Sequence, residues 1–417
     1  MSFRTFALAS ACVFALAGSA LAETNVTILH VNEVAAAKTL WDKIAADYNA
    51  AHPGVKVQFK YLENEAFKAK LPTMLQSDDR PDLFYSWAGG VMQAQAKAGL
   101  LKDVTADVAD VEANMSKTAV DAFKVDGKAV GVPFEMGEVA FYYNKKLFAQ
   151  AGVKAEDVKS WDDFLGAVKK LKAAGITPIV VGAGEKWPMH FYYAYLVVRI
   201  GGDGALAAAK AGKDGGFKNA TFVEAGKRLH ELAALEPFQA GYLQTSHAQS
   251  AGVFGDGKAA MDLMGPWLLG MQAPNSASGK GLPSDDIGIL SFPTIPGGKG
   301  KATDTMGGVN GFLVSKSAPP AAIDFLKFFS QDKYAKEAAA TGAYIPVVKG
   351  AAAAITDPLQ RRLADDLAAS TYHQNYLDQD LGPSVGRVIN DVSVAVAAGQ
   401  TTPEAAAAAI QDAAEQQ

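Results

Sequence analysis

The sequence predicts an α/β protein of more than one globular unit, with a doubly wound sheet of parallel strands. Three observations carry this. The first third of the chain reads strand–helix–strand–helix–strand, the order that gives parallel pairing with helices on the faces of the sheet. The chain has 417 residues, room for two or three units at roughly 150 residues each. Its composition, 49% hydrophobic and 20% charged, is that of a globular protein and far too apolar for a disordered one. Beyond the first two dozen positions no stretch of ~18 apolar residues occurs, which excludes an integral helical membrane protein. The formal charge of −5 argues against nucleic acid, which needs a basic stripe.

The elements follow in order. Residues 1–22 read as a cleaved signal peptide: Arg4 gives a basic start, Phe6 to Gly18 an apolar centre, and Ala20-Leu21-Ala22 a small-x-small cleavage site. Cys12, the one cysteine, lies inside this segment, and Ala9 stands where a lipoprotein signal would want leucine. The expected product is exported and unlipidated, starts at Glu23, and keeps 395 residues (417 less 22). Its charge becomes −6, since only Arg4 is lost. Without cysteine it has no disulfide, no thiol chemistry and no cysteine metal site, so its cores must hold it together.

Val26 to Val31 is a short β run, followed by a helix whose apolar face is Trp41, Ile44, Ala45 and Tyr48. His52-Pro53-Gly54 stops that helix. Val55 to Tyr61 alternates as a second strand, and Phe67, Leu71, Met74 and Leu75 mark a second helix. After Pro81-Asp82, Leu83 to Tyr85 is a third strand. A new unit is expected near Val132-Pro133, with a strand at Val139 to Tyr143. Ser160-Trp161-Asp162-Asp163 reads as a helix N-cap with an acidic first turn, and Leu165, Val168 and Leu171 continue that helix. Pro178 to Val181, Ala259 to Met264 and Gly311 to Ser315 are further strand-like runs, and Ile287 to Phe292 is apolar. Thr221 to Leu235 is an amphipathic helix, and Pro319-Pro320 opens another. From Pro358 onward the pattern predicts helix alone, ending in an alanine-rich helix capped by Thr402-Pro403-Glu404.

Much chemistry is missing. No G-x-x-x-x-G-K-[ST] loop and no G-x-G-x-x-G after a strand occurs, so no nucleotide cofactor is expected. The six histidines (30, 52, 190, 230, 247 and 373) form no ligand-spaced pair, so no metal is expected, and there is no G-x-S-x-G elbow. Catalysis has no positive support, although two isolated carboxylates would suffice for glycoside hydrolysis.

Tryptophan is the informative residue. Trp41 and Trp161 read as core. Trp87, Trp187 and Trp267 each follow a strand end beside loop-forming residues, where open α/β sheets bind ligands. An indole there either stacks on the apolar face of a sugar ring or covers the edge of the core. Carboxylates come next. Glu33 follows the first strand, and Glu135 and Glu138 flank the expected domain junction. A carboxylate can accept two hydroxyl hydrogen bonds, which suits a polyol, but it also suits a cation, and a solvated surface glutamate is the alternative for each. The mature chain has six arginines against 32 lysines. Arginine forks are the usual clamp for carboxylate and phosphate, so an anionic ligand is disfavoured.

Taken in order, several stretches resemble family 1 of the extracellular solute-binding proteins, the sugar-type receptors of ABC importers that include the maltose-binding proteins. They are His52-Pro53-Gly54-Val55-Lys56-Val57; Arg80-Pro81-Asp82-Leu83-Phe84 with Trp87; Gly99-Leu100-Leu101-Lys102-Asp103; and Val132-Pro133 leading to Phe141-Tyr142-Tyr143-Asn144-Lys145. Further on are Ser160-Trp161-Asp162-Asp163-Phe164, Phe254-Gly255-Asp256-Gly257-Lys258-Ala259-Ala260-Met261, Gly265-Pro266-Trp267, Gly307-Gly308, and the tail from Leu381 to Glu404. The resemblance implies the two-lobed periplasmic binding protein fold, each lobe a mainly parallel sheet flanked by helices, joined by three hinge crossings. By that pattern one lobe is 23–132 plus 291–340 and the other 133–290 plus 341–417. It also implies a ligand site of Glu33, Trp87, Trp187 and Trp267, with Glu138 or its rival Glu135 as the acidic contact, and Asn310 and Tyr344 near the second and third crossings.

The reading is a monomeric periplasmic receptor that closes on a neutral di- or oligosaccharide and delivers it to the permease of an ABC transporter. Two others stand beside it. The same fold could hold a polyamine- or betaine-type cation in an aromatic cage, which competition by amines would reveal. A carbohydrate-active enzyme would need Glu33 and Glu138 to face each other across the cleft.

Overall fold

Two large sheets and one two-stranded antiparallel ribbon (124–125 with 128–129) organise the chain in the computed structural model, which describes residues 23–416. The expected signal peptide, 1–22, lies outside the described residues. In chain order the strands are β1 (Thr24–His30), β2 (Val55–Tyr61), β3 (Leu83–Ser86), β4 (Lys124–Val125), β5 (Lys128–Ala129) and β6 (Gly131–Glu138). There follow β7 (Ala140–Asn144), β8 (Ile179–Val180), β9 (Met261–Met264), β10 (Ile287–Leu290), β11 (Thr305–Val314) and β12 (His373–Asn375).

The first sheet has the order β12-β11-β3-β1-β2, with β6 on the other side of β11. β1 pairs parallel with β2 and β3, as the alternation of strands and helices predicts. The helix Ala35–Ala51 crosses between β1 and β2 and buries Trp41, Ile44, Ala45 and Tyr48, the face read from their spacing. The second sheet has the order β10-β7-β9-β8. Here the expected mainly parallel pairing does not hold: β7 runs antiparallel to both β10 and β9, and only β8 and β9 are parallel. Antiparallel neighbours need no crossover helix of their own, so the strand–helix alternation that signals a parallel sheet is diluted here.

Two other expectations need correction, and two elements went unread. The tail after Pro358 is not helix alone, because β12 pairs with the first residues of β11, Thr305 with His373 through Gly307 with Asn375. Three residues that complete a distant ladder carry no periodicity of their own. The strand expected from Gly311 begins at Thr305. β6 and the helix Trp187–Gly201 carried no expectation at all. That helix buries every residue from Trp187 to Arg199, so it has no polar face to set a 3.6-residue rhythm.

β6 and β11 form the seam on which the site is built. Asn310 pairs with Glu135 and Gly311 with Pro133, so Phe134 is an extra residue in β6. Such a bulge re-aims side chains. Here it sets Glu135 opposite Asn310 while Phe134 packs against Trp41 and Phe312.

Burial falls into two groups. One gathers around β1, β3 and β11 and contains Trp41. The other gathers around β7 and β9 and contains Trp161, the Trp187–Gly201 helix and the C-terminal helices Gly382–Ala397 and Pro403–Glu415. Trp87 and Trp267 are partly buried and pack against both groups, and no other partly buried hydrophobic side chain among the described residues does. The buried Arg199 guanidinium ties the connection from β10 to β11, donating to the carbonyl oxygens of Phe292 (3.0 Å), Lys301 (2.8 Å) and Asp304 (2.8 Å).

Candidate functional site

The strand ends of both sheets converge on one cavity. It holds about 1020 Å³ of space free of atoms, counting the part open to solvent. Seven of the eight residues singled out in the sequence line it: Glu33, Trp87, Glu135, Trp187, Trp267, Asn310 and Tyr344. Glu33 follows β1, Trp87 follows β3, and Trp267 lies three residues past β9. Trp187 begins its helix after the turn Ala183–Glu185, which β8 feeds. The indoles of Trp187 and Trp267 are 6.2 Å apart, inclined at 59°.

Local sequence fixes these rings. A Cβ on Gly265 would lie 2.0 Å from the six-membered ring of Trp267, so glycine is what lets that indole fold back over its own turn. A Cβ on Gly308 would meet the Tyr376 ring at 2.4 Å and Asn310 Oδ1 at 2.7 Å, so this glycine lets Tyr376 sit beside Asn310.

The carboxylates differ. Glu135 Oε1 accepts from Tyr85 Oη (2.8 Å) and from Asn310 Nδ2 (2.7 Å). Burial raises its pKa, and those two donors oppose the rise. Glu33 Oε1 accepts from Tyr61 Oη at 2.8 Å. Glu138 does not line the cavity. It is 3% exposed, its Oε2 has no hydrogen-bond partner, and burial, with Asp366 adding to it, pushes its pKa up to about 8. Strand alternation is the reason for the contrast. Glu135 and Glu138 are three residues apart in the regular part of β6 and so point to opposite faces, Glu135 opposite Asn310 and Glu138 opposite Gly307.

Several lining residues went unread in the sequence. Lys68 lies 5.5 Å above the Trp87 ring and pairs with Glu65 (3.2 Å) and Asp378 (3.5 Å). Burial opposes the charge on Asp378, but Lys68 and His190 outweigh it and hold its pKa below the usual carboxylate range. His190 Nδ1 lies 2.7 Å from the Trp187 carbonyl oxygen, and burial lowers the pKa of this ring. Glu185 Oε2 accepts from Trp187 Nε1 at 3.0 Å and faces His247 Nδ1 at 3.0 Å, while Oε1 accepts from the His247 backbone N–H at 3.1 Å. His247 Nε2 lies 3.6 Å from Glu33 Oε2. Lys68 with Asp378 and His247 with Glu33 and Glu185 come from separate segments, so no spacing rule could have joined them. The local clues are Glu65 three residues before Lys68, and Glu185 and His190 on either side of Trp187.

A cleft between two α/β sheets, walled by three indoles and tethered carboxylates, defines a solute-binding protein of the two-lobed receptor class. Comparison gives the family. The chain matches the bacterial extracellular solute-binding protein model over residues 32–336 and belongs to that family. It is 24% identical to an uncharacterised ABC transporter extracellular-binding protein of Pyrococcus horikoshii, over 80% of this chain and 74% of that one. It is 25% identical to a lactose-binding protein of Rhizobium radiobacter, over 85% and 82%. A solved chitin oligosaccharide binding protein superposes with a TM-score of 0.85 at 26% identity, over 94% of this chain and 98% of that one. An extracytoplasmic location goes with the family. No helix among the described residues is long and apolar enough to cross a membrane.

Proposed function

We propose that this chain is the periplasmic receptor of an ABC importer, that it captures a neutral di- or oligosaccharide between its sheets, and that it hands the sugar to the membrane permease as a monomer. The observation that carries this reading is the meeting of Trp87, Trp187 and Trp267 with Glu33, Glu135 and Asn310 around one cavity. Indole faces stack on the apolar faces of sugar rings, and fixed polar groups choose among hydroxyls. Lactose and chitin oligosaccharide as named ligands of two similar proteins support a saccharide. The proposed lobes are 23–132 plus 291–340 and 133–290 plus 341–417, with closure shifting a hinge equilibrium.

Two observations favour a neutral sugar received intact. The cation position over Trp87 already holds Lys68, which speaks against a cationic ligand. An enzyme built on Glu33 and Glu138 lacks a shared cavity, since Glu138 lines none with Glu33. The test is thermal unfolding of the mature protein, freed of ligand by denaturation and refolding, against saccharides and amines. A saccharide at 100 times its dissociation constant should stabilise the fold by about 2.7 kcal/mol. A rise in midpoint with amines and none with any sugar would overturn the reading.

A further inference from the structure

We infer that Glu185 and His247 are positioning residues that tie Trp187, on one wall of the cleft, to Glu33, on the other, and that this tie exists only while His247 carries both ring protons. The inference rests on the cleft being the ligand site and adds a regulator to it: the proton.

The argument is one of donors and acceptors. Carboxylates only accept, so the 3.0 Å contact with Glu185 Oε2 requires a proton on His247 Nδ1. A neutral ring protonated there would turn the lone pair of Nε2 toward Glu33 Oε2, 3.6 Å away, and two acceptors would oppose each other. The imidazolium alone satisfies both sides. Glu185 is committed at the same time to the Trp187 indole N–H and to the His247 backbone N–H, so ring, indole and turn move together. Glu33 is steadied by Tyr61, whose hydroxyl takes Oε1 and leaves Oε2 toward the histidine. The third titratable group facing His247 is Asp262 on β9, whose buried carboxyl oxygens have no hydrogen-bond partner. Every titratable group acting on the ring is therefore an acid.

The electrostatics agree. Burial works against a charge on His247, but the hydrogen bond and charge of Glu185, then the charges of Glu33 and Asp262, outweigh it and raise its pKa. Burial would raise the pKa of Glu185, but His247 and the Trp187 indole hold it below the usual carboxylate range. Protonated, the histidine joins residues that follow β1 of the first sheet to residues that follow β8 of the second. Deprotonated, it leaves Glu33 and Glu185 as two like charges on facing walls.

Two measurements test this. Calorimetric titration of the wild type with the best-stabilising saccharide, from pH 5.5 to 8.5, should show affinity falling at least about five-fold as His247 loses its proton. His247→Gln, checked first by its melting curve, should be flat across that range at the weaker level, and Glu185→Gln should lose the pH dependence too. A flat wild type, or an unchanged pH profile in His247→Gln, overturns the proposal. The second measurement needs no sugar. NMR titration of the His247 ring in Glu33→Gln should give a pKa lower than wild type by at least about half a pH unit. An unchanged value overturns the tie whatever the protein binds, and it serves if His247→Gln fails to fold. A lowered value in a protein that binds no saccharide would leave the tie standing and remove the sugar reading alone.

Discussion

Gly265 and Trp267 act as a pair. The glycine touches no ligand, yet any side chain on it collides with the indole at 2.0 Å. Trp267→Ala should weaken saccharide binding at least ~ten-fold, an aromatic contact's worth, with the melting temperature of the free protein little changed. Gly265→Ala should reproduce most of that loss through displacement alone. Calorimetric dissociation constants for both variants check this, and an unchanged affinity in Trp267→Ala would remove the residue from the site. At this scale the sequence was half readable. Tryptophans beyond strand ends stand out because indole is rare and loop-forming neighbours flag it. The acidic contact did not: Glu135 and Glu138 lie three residues apart on one strand and so face opposite ways, but nothing in the sequence says which face of β6 meets the cavity. Lys68, Glu185, His247 and Asp378 were illegible, because each gains its meaning from a partner in another segment.

Among the elements, the helix Trp161–Ala173 starts with a complete capping box. Ser160 Oγ accepts from the Asp163 backbone N–H at 3.2 Å, and Asp163 Oδ2 accepts from the Ser160 backbone N–H at 2.9 Å. Ser160→Ala should cost about 1 kcal/mol, read as a lower denaturant midpoint at unchanged slope. Sugar affinity should not move, since neither residue lines the cavity. Elements with one wet and one dry face, such as Ala35–Ala51 and this helix, were legible from spacing. Those buried all round or defined by distant pairing were not. The Trp187–Gly201 helix has no wet face, β6 carries a proline and two glycines in eight residues, and β12 exists only because β11 offers it a ladder.

For the molecule as a whole, pH sets stability in an unusual direction. Glu138 and Asp262 are buried acids with pKa values pushed up to about 8, chiefly by burial. Below the ordinary carboxylate range both are protonated in the folded and the unfolded chain, and neither makes stability depend on pH. As pH rises from there towards 8, the unfolded chain releases these protons and the folded chain holds them. Stability therefore falls, by up to about 1.4 kcal/mol per pH unit per group. His247 adds to this, since its raised pKa contributes stability that is lost as pH climbs through the folded value. His30 and His373, whose pKa values burial lowers to about 4, act the other way, but only up to the ordinary histidine range, so the two acids decide the direction up to pH 8. The ligand-free protein should melt higher near pH 5.5 than near pH 8, and Glu138→Gln should flatten part of that slope. A melting temperature that rises across this interval, or a slope the variant leaves untouched, would contradict the burial argument.

The distribution of tryptophan has a spectroscopic consequence. Trp41 and Trp161 are sealed in the interior and should emit a constant blue-shifted background. The other three of the five indoles line the cavity, and two of them lean on both hydrophobic interiors at once. A change in intrinsic fluorescence on adding a solute would therefore originate at the cleft, which equips the molecule with an unlabelled optical gauge of occupancy.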